Sequence, residues 1–349
     1  MAEGPGSAIG ESVFIRRTLI VLTLTALLFL TWHLRSLLLL IFGAVLVAVI
    51  FRAIADPIRR VTKAPDWLAV AIAVLLVVGI LGLASWMFGS EVTAQVRTLF
   101  DSLPEAWRSF EQRIGDMGFG ERLQDMVDDA APSGSGVLSN VGQFAMSLGG
   151  GVADTLIVLV GGIYLAAQPR LYRKGALKLI PLQRRELAGQ AIEDSGRALR
   201  LWLKGQLISM VVVGLLVGVG LWLIGVPSAL ALGLLAGILE FVPLVGPIVA
   251  ALPALLIALA VGPQTALWVL GLYLVVQQVE GNVLQPVVQQ YAVDLPAVIL
   301  LFSLLGFGTL FGALGIILAA PLTVVVYVLI KRLYVREALD TPTPVPGED

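Results

Sequence analysis

The chain has 349 residues, with 23 Lys+Arg, 24 Asp+Glu, one His and no Cys. Hydrophobic residues make up 58% and charged residues 13%, against about 45–50% and about 25% in an ordinary soluble domain, which excludes a disordered chain and a soluble two-domain enzyme. The mean hydropathy of +0.94 points to a polytopic membrane protein, the missing Cys excludes disulfides and thiolate sites, and the single His excludes a multi-His metal centre.

A helical span needs about 20 apolar residues. Taken in chain order, Thr18–Leu34 is a first span and Leu37–Ile50 a second, separated only by Arg35–Ser36, so a tight hairpin is expected. The first is too long for a cleaved leader and lacks a small-residue cleavage site. Trp67–Phe88 reads as a third span and 141–167 as a fourth, interrupted by Gly149–Gly151 and carrying Asp154. Gly205–Ile224 is a fifth. Ser228–Val261 is a long apolar stretch whose one charge is Glu240 and whose centre is Pro243-Leu-Val-Gly-Pro247. Thr265–Val279 is a further span, and Leu295–Ile330 is apolar but broken by Gly306, Gly308, Gly312 and Gly315. A hydropathy count would report about eight spans.

Lys and Arg cluster at 16–17, at 52–63, through 168–204 and at 331–336. If spans alternate, all four clusters share one face, which the positive-inside rule makes cytoplasmic, with both termini. The segment 89–140 then lies outside and carries nine acids and four Arg. Within it Val92, Val96, Leu99, Leu103, Trp107, Phe110 and Ile114 recur at helical spacing. A break is expected at Asp101–Glu105, giving two amphipathic helices that cap the bundle or lie on the membrane or a neighbouring subunit. The basic 168–204 loop reads as another helix whose excess charge suits anionic lipid rather than nucleic acid. The domain expectation is therefore a cytoplasmic 1–17 segment, spans in 18–88, an external 89–140 domain, a span at 141–167, a basic cytoplasmic loop at 168–204, a core at 205–330 and a disordered cytoplasmic tail at 331–349.

From Gly205 to Ile330 there are three acids, Glu240, Glu280 and Asp294, and no Lys or Arg. This core divides into halves, 205–261 and 264–330. Gly246-Pro-Ile-Val-Ala-Ala-Leu-Pro253 echoes Gly315-Ile-Ile-Leu-Ala-Ala-Pro321. Span parity makes the halves inverted, and Gly/Pro-interrupted segments in matching places point to a transport site near the midplane. Each arm of 228–261 is about 16 residues, or about 24 Å, short of the ~30 Å hydrocarbon core. A re-entrant hairpin turning at Pro243–Pro247 follows. The fold class expected is an all-α transmembrane bundle with broken, re-entrant hairpins in an inverted repeat and a small external helical domain.

Glu240 is the sharpest candidate, because an intramembrane acid faces a cavity, a partner or something transient such as a proton, Na⁺ or a polar solute. The bland alternative is a protonated carboxyl bonded to a backbone carbonyl freed by Pro243 or Pro247. Gly246 and these two prolines belong with it, since freed carbonyls bind a solute only where they line a cavity. Glu280, Asn282, Gln285 and Pro286 end the span before the polar connector and are either pathway residues or interfacial caps. Gln206 and Gln277 are possible polar lining groups. Asp154, beside a Gly triplet, marks either pathway or close helix contact. Gly214-xxx-Gly218 and Gly233-xxx-Gly237 are helix-packing motifs.

Gly225-Val-Pro-Ser-Ala, Glu240-Phe-Val-Pro-Leu-Val-Gly-Pro247, Val279-Glu-Gly-Asn-Val-Leu-Gln-Pro286, Phe311-Gly-Ala-Leu-Gly315 and Ala320-Pro321 resemble the autoinducer-2 exporter family. The resemblance implies a multi-span inner-membrane transporter with cytoplasmic termini that forms homo-oligomers, a pentamer being the expected number. It also implies a role in export of a furanone quorum signal in some relatives and in Na⁺(Li⁺)/H⁺ antiport in others. Three classes therefore compete: a transporter of a small polar solute, a cation/proton antiporter using Glu240, and a membrane scaffold in which Glu240 is dispensable. No HExxH, GxSxG or GxxxxGK[ST] motif is present, which disfavours an intramembrane enzyme and nucleotide-driven transport. No cofactor and no nucleic acid is expected; the partners are the solute or monovalent cation, the bilayer and further copies of the chain.

Overall fold

The structure, a computed structural model, describes residues 18–116 apart from 20, 24, 27 and 28, then 152–284 and 295–343. The expectations for 1–17, for the later half of the external segment, for the start of the 141–167 span, for Gln285 and Pro286 and for the end of the tail lie outside the described residues. Helices account for nearly all of the rest, and no strand occurs among the described residues. The protein is an all-α polytopic membrane protein. Described helices long and apolar enough to cross a membrane are Arg35–Thr62, Leu182–Ile224, Pro263–Leu284 and Ala297–Arg336, with Ala153–Ala167 and Pro169–Lys178 as a bent pair.

Arg35–Thr62 (α1) and Asp66–Asp116 (α2) form an antiparallel pair through Lys63–Pro65. The described residues from 18 to 33 are helical and run into α1. Leu34 N–H bonds to Leu30 O at 2.8 Å, and Leu38 N–H to Leu34 O at 2.9 Å. The hairpin expected at Arg35–Ser36 is thus absent: the preceding helical run joins α1 across one non-helical residue, Leu34, at φ −88° and ψ 7°. Two residues without Gly or Pro, set between leucine-rich stretches of high helix propensity, give the backbone no cause to turn. The break expected at Asp101–Glu105 is also absent, because α2 continues to Asp116. One Pro removes one helical hydrogen bond, which can kink a helix without ending it.

Val152–Ala167 (α3) packs on α1, where a Cβ on Gly162 would meet Val47 at 2.5 Å. Pro169–Lys178 (α4) then turns by 92°. Arg185–Ile224 (α5) is a single 40-residue helix, uninterrupted by Pro, so the second part of the basic loop and the fifth span are one rod rather than two elements. It stops at Gly225, whose φ of +83° lets Val226 N–H reach back to Leu221 O.

Ala229–Leu239 (α6) and Val245–Val261 (α7) follow, 11 and 17 residues long, or about 16 and 26 Å. Neither spans a ~30 Å core, and the five residues between them reverse the chain. The turn is at Glu240–Leu244, slightly earlier than Pro243–Pro247; Pro247 falls in the first turn of α7, where a missing N–H costs nothing. Pro263–Val279 (α8) crosses next, ending in a π-helical turn over Glu280–Leu284.

Ala297–Leu329 (α9) is bent at Gly312, with φ +66° and ψ −145°. A Cβ on Gly315 would lie 2.0 Å from the carbonyl oxygen of Phe307, although residues eight apart in a straight helix are separated by about 12 Å. The chain therefore folds back here too. A Cβ on Gly246 would likewise lie 2.0 Å from Leu239 O. The two glycines that align in the sequence repeat occupy the same place in two hairpins.

The bases of these hairpins lie at opposite ends of the bundle. At the first, the Gln95 side chain of α2 accepts hydrogen bonds from the N–H groups of Leu230 and Ala231. At the second, Arg332 pairs with Asp194 of α5 and bonds to Gln190. The segment Ile330–Arg336 is helical, so order extends past the expected start of the tail.

Three basic clusters meet on one face. Arg52 and Arg59 both bond Asp66, at 3.1 and 3.0 Å, with Arg170 close enough to add its charge. Arg173 pairs with Glu193. Trp67 is exposed near this face, and Trp86 is exposed 19 residues further along α2. That is about 28 Å at 1.5 Å per residue, the spacing of two interfacial aromatic belts. Trp222, exposed near Gly225, marks the far belt on α5.

Candidate functional site

The α5–α6 contact that carries the site is made of backbone. A Cβ on Gly233 would lie 2.5 Å from Gly218 Cα, and one on Gly237 would lie 2.7 Å from Met210 O. Small residues let the two helices touch along both expected glycine motifs. This contact sets the antiparallel register and brings Gln206 of α5 level with Glu240.

Where α6 stops, Glu240 keeps its own N–H bonded to Ala236 O, but its carbonyl loses the helical partner that residue 244 would supply. Gln206 Nε2 donates to that carbonyl instead. Beyond it, Val245 N–H bonds to Pro243 O at 2.8 Å and places Leu244 at φ +69°, ψ −47°. This is a γ-turn of the rare, strained hand. Phe241 stands edge-on to Trp202 of α5, with ring centroids 5.9 Å apart, and holds the tip down.

The Glu240 side chain points inward and is 1% exposed. Its Oε2 has no hydrogen-bond partner among the described residues. Glu280, also buried, faces it closely enough for the two carboxyl groups to interact directly. Glu280 is held in turn by Gln277 Nε2, which donates to its Oε2 at 3.2 Å. Among the described residues no basic side chain forms an ion pair with either acid. Two carboxylates in a low-dielectric interior repel strongly, and a proton or a monovalent cation between them removes the repulsion.

Gln206 is 16 residues from Trp222 on α5, or about 24 Å. The site therefore lies toward the basic end of the membrane rather than at the midplane. The hairpin tip reaches most of the way across because α7 is 17 residues long.

Of the expected site residues, the structure brings together Gln206, Glu240 and Glu280, with Gln277 behind Glu280 and with Pro243, Gly246 and Pro247 shaping the turn. Asn282 is apart: it is exposed and donates to Gln278 Oε1 at 2.8 Å. Asp154 is also apart, exposed in the first turn of α3, a helix that packs on α1 and α2. Buried Ser209 on α5 and Thr323 on α9 were not singled out from the sequence. Ser209 was findable as the residue one turn beyond Gln206. Thr323 Oγ1 donates to Ala319 O at 2.6 Å, two residues past Pro321, and nothing in its apolar surroundings signalled that.

A groove of about 740 Å³ runs along the outside of the α5–α6 contact, from Gln95 and Leu230 to Leu207 and Ile238. Its lining is apolar, and neither Glu240 nor Glu280 opens into it.

An all-α bundle with two opposed broken hairpins and a buried acidic pair at one tip has the build of a secondary transporter. The chain belongs to the AI-2E transporter family, whose profile matches residues 18–334. It is 26% identical over 313 residues to the "Putative transport protein YueF" of Bacillus subtilis, covering 85% of this chain and 84% of that one. It is 25% identical over 302 residues to the AI-2 transport protein TqsA of Escherichia coli K12, covering 83% and 84%. A second Bacillus subtilis protein, YrrI, is 32% identical over 178 residues, about half of each chain.

Proposed function

We propose that this protein carries a small polar solute across the bacterial cytoplasmic membrane, with no enzymatic step, through a site at the tip of the α6–α7 hairpin. The observation that carries the reading is the Glu240 carboxyl: buried, short of a hydrogen-bond partner, and set against Glu280 where two helices break. A group so placed is costly unless it meets a ligand or proton during the cycle. Gln206, Glu240 and Glu280 supply the polar contacts, and the core 205–330 supplies two opposed hairpins that can rock past one another. Family membership and the likeness to TqsA make autoinducer-2 the first solute to try. The face bearing Arg52, Arg59, Arg170 and Arg332 is taken as cytoplasmic, which places the C-terminus inside and the far end of α2 outside. The chain works as a homo-oligomer in this reading.

The acidic pair also favours a second reading, exchange of Na⁺ or Li⁺ for protons, because one proton and one monovalent cation are equivalent answers to the same repulsion. Flux in proteoliposomes decides between them. The purified protein is loaded separately with autoinducer-2 under an imposed pH gradient and with Na⁺ under the reverse gradient. Solute movement abolished by Glu240→Gln supports the first reading. Cation-dependent proton movement abolished by the same change supports the second. Wild-type flux of neither leaves the scaffold class.

A further inference from the structure

We propose that α4 and the turn after it form a binding site for anionic phospholipid headgroups on the basic face of the membrane. From Thr155 to Arg185 the sequence contains no acid, while 170–185 contains Arg170, Arg173, Lys174, Lys178, Arg184 and Arg185. Three of these six are engaged within the protein, Arg170 through its charge at Asp66. Arg173 pairs with Glu193, and Arg185 donates to the carbonyls of Ile180 and Lys178. They fasten the segment to the start of α5. Lys174, Lys178 and Arg184 form no ion pair with a described residue.

Three leucines of the same segment are left largely uncovered by the described residues. Leu171 is 60% exposed, Leu182 76% and Leu179 88%. On the 3.6-residue period the exposed Leu171 and Tyr172 fall on one side of α4, and Arg170, Lys174 and Lys178 lie together on the adjoining arc. Leu177, the one partly buried residue of its last turns, meets α5 near Gly189.

The orientation of the helix gives this amphipathic edge its occupant. The axis of α4 is bent 92° from α3, an apolar helix that packs along the membrane-crossing α1. It therefore lies in the membrane plane. Arg170 is near Asp66, the neighbour of belt residue Trp67, so its depth is that of the headgroups. A helix at that depth with leucines on one side and cations beside them sinks the leucines into the acyl boundary and meets phosphate with its cations. Although Glu186 follows Arg185 in sequence, Lys174, Lys178 and Arg184 carry no ion pair with a described residue, and such cations select anionic over zwitterionic headgroups. The proposal does not depend on which solute is carried.

The test uses the full-length protein in detergent with equal amounts of phosphatidylglycerol and phosphatidylcholine, with retained lipid counted by native mass spectrometry. Wild type is expected to retain phosphatidylglycerol preferentially. Each cation is worth about fivefold in relative affinity, so Lys174→Gln/Lys178→Gln/Arg184→Gln together should reduce the preference by about two orders of magnitude. Arg60→Gln/Lys63→Gln/Arg200→Gln, which removes three exposed cations elsewhere on the chain, should leave most of it. Equal retention by the first triple variant and wild type overturns the proposal, as does an equal loss in both triples. Because the chain has no Cys, a single spin label at Leu179→Cys in bilayers gives an independent reading. Greater access to oxygen than to a water-soluble nickel reagent is expected. The reverse would mean that the corner faces water or a soluble partner, and would also overturn it.

Discussion

Gln206 donates its side-chain amide to the main-chain carbonyl of Glu240, 34 residues further on. The bond satisfies the acceptor that the end of α6 strands in an apolar interior, and it fixes the height at which the Glu240 carboxyl is presented. Expectation from the sequence had Gln206 as a possible lining group and Glu240 facing a cavity, a partner or a transient ligand, with a carboxyl bonded to a carbonyl freed by Pro243 or Pro247 as the bland alternative. In the structure Gln206 takes Glu240's own carbonyl, and the Glu240 carboxyl faces Glu280.

Gln206→Leu is therefore expected to strand that carbonyl and to lower stability by about 1–3 kcal/mol, the cost of an unsatisfied buried polar group. Gln206→Glu should be worse at neutral pH, because an ionised carboxylate cannot donate and adds a charge beside a site that already holds two acids. Thermal unfolding of the purified variants checks both. A Leu variant as stable as wild type would show that the bond contributes nothing.

The paired hairpins make a sharper structural expectation. Gly246→Ala and Gly315→Ala each place a methyl 2.0 Å from a backbone carbonyl oxygen. Backbone cannot move aside as a side chain can, so both variants should lose folded protein severely, beyond the about 1–3 kcal/mol of ordinary overpacking. Gly271 and Gly306 have nothing within 4 Å of the same position, and Gly271→Ala and Gly306→Ala should be tolerated. Yield after size-exclusion chromatography separates the two pairs.

Much of this was legible in the sequence, and the failures have a common physical origin. The repeat of Gly246-Pro-Ile with Gly315-Ile-Ile, and the arm lengths too short for a bilayer, specified the hairpins because those signals are local and tied to helix geometry. Glu240 stood out because a carboxyl in an uncharged stretch is costly wherever it packs. The turn expected at Arg35–Ser36 and the break at Pro104 failed because hydropathy marks where apolar runs are interrupted, not whether the backbone bends there. Without Gly or a pair of breakers, the chain does not fold back. The contact of Glu240 with Glu280 was out of reach, since it depends on the register of α5 on α6 and on where α8 ends. That register is set by Gly214, Gly218, Gly233 and Gly237, residues that are common in membrane helices and announce only that some close contact exists.

Asp66 offers a pH test of the basic face. Burial alone would raise its pKa, but the hydrogen bond and charge of Arg52, with the charges of Arg59 and Arg170, carry the carboxyl below its ordinary 3.8. A carboxyl depressed on folding adds stability above its unfolded pKa, and that stability is lost as pH falls through the folded value. Asp66→Asn should therefore lower the melting temperature at pH 7, and the gap from wild type should narrow below about pH 4. A gap that stays constant across that range would assign the effect to shape rather than charge.

Leu244 holds a positive φ at the tip of the first hairpin, a conformation that costs a non-glycine residue about 1–3 kcal/mol. Leu244→Gly releases that strain against about 0.5–1 kcal/mol of added chain entropy in the unfolded state. The variant is expected to be more stable by about 1 kcal/mol. Flux should fall, since a slack tip no longer presses Glu240 toward Glu280. A variant no more stable than wild type would show that the tip stores no strain.

The acidic pair itself is tested by Glu240→Gln, Glu280→Gln and the double change. Gln keeps the shape and hydrogen-bonding capacity of Glu but cannot ionise. Folding should survive each substitution, and stability should hold or rise, because removing one of two facing carboxylates removes repulsion in a low-dielectric site. If the two carboxyls act as one unit in taking up a proton or cation, either single change should abolish coupled flux. The double change should then be no worse than either, since residues that share one role are not additive. If Glu240 alone meets the ligand and Glu280 only ties down the end of α8 through Gln277, Glu280→Gln should keep near-normal flux while Glu240→Gln does not. Normal flux in Glu240→Gln with an unchanged pH dependence would remove the site from the hairpin tip altogether. Flux, pH dependence and unfolding temperature measured on the same four preparations distinguish these outcomes, because each assigns a different pattern to the two single variants.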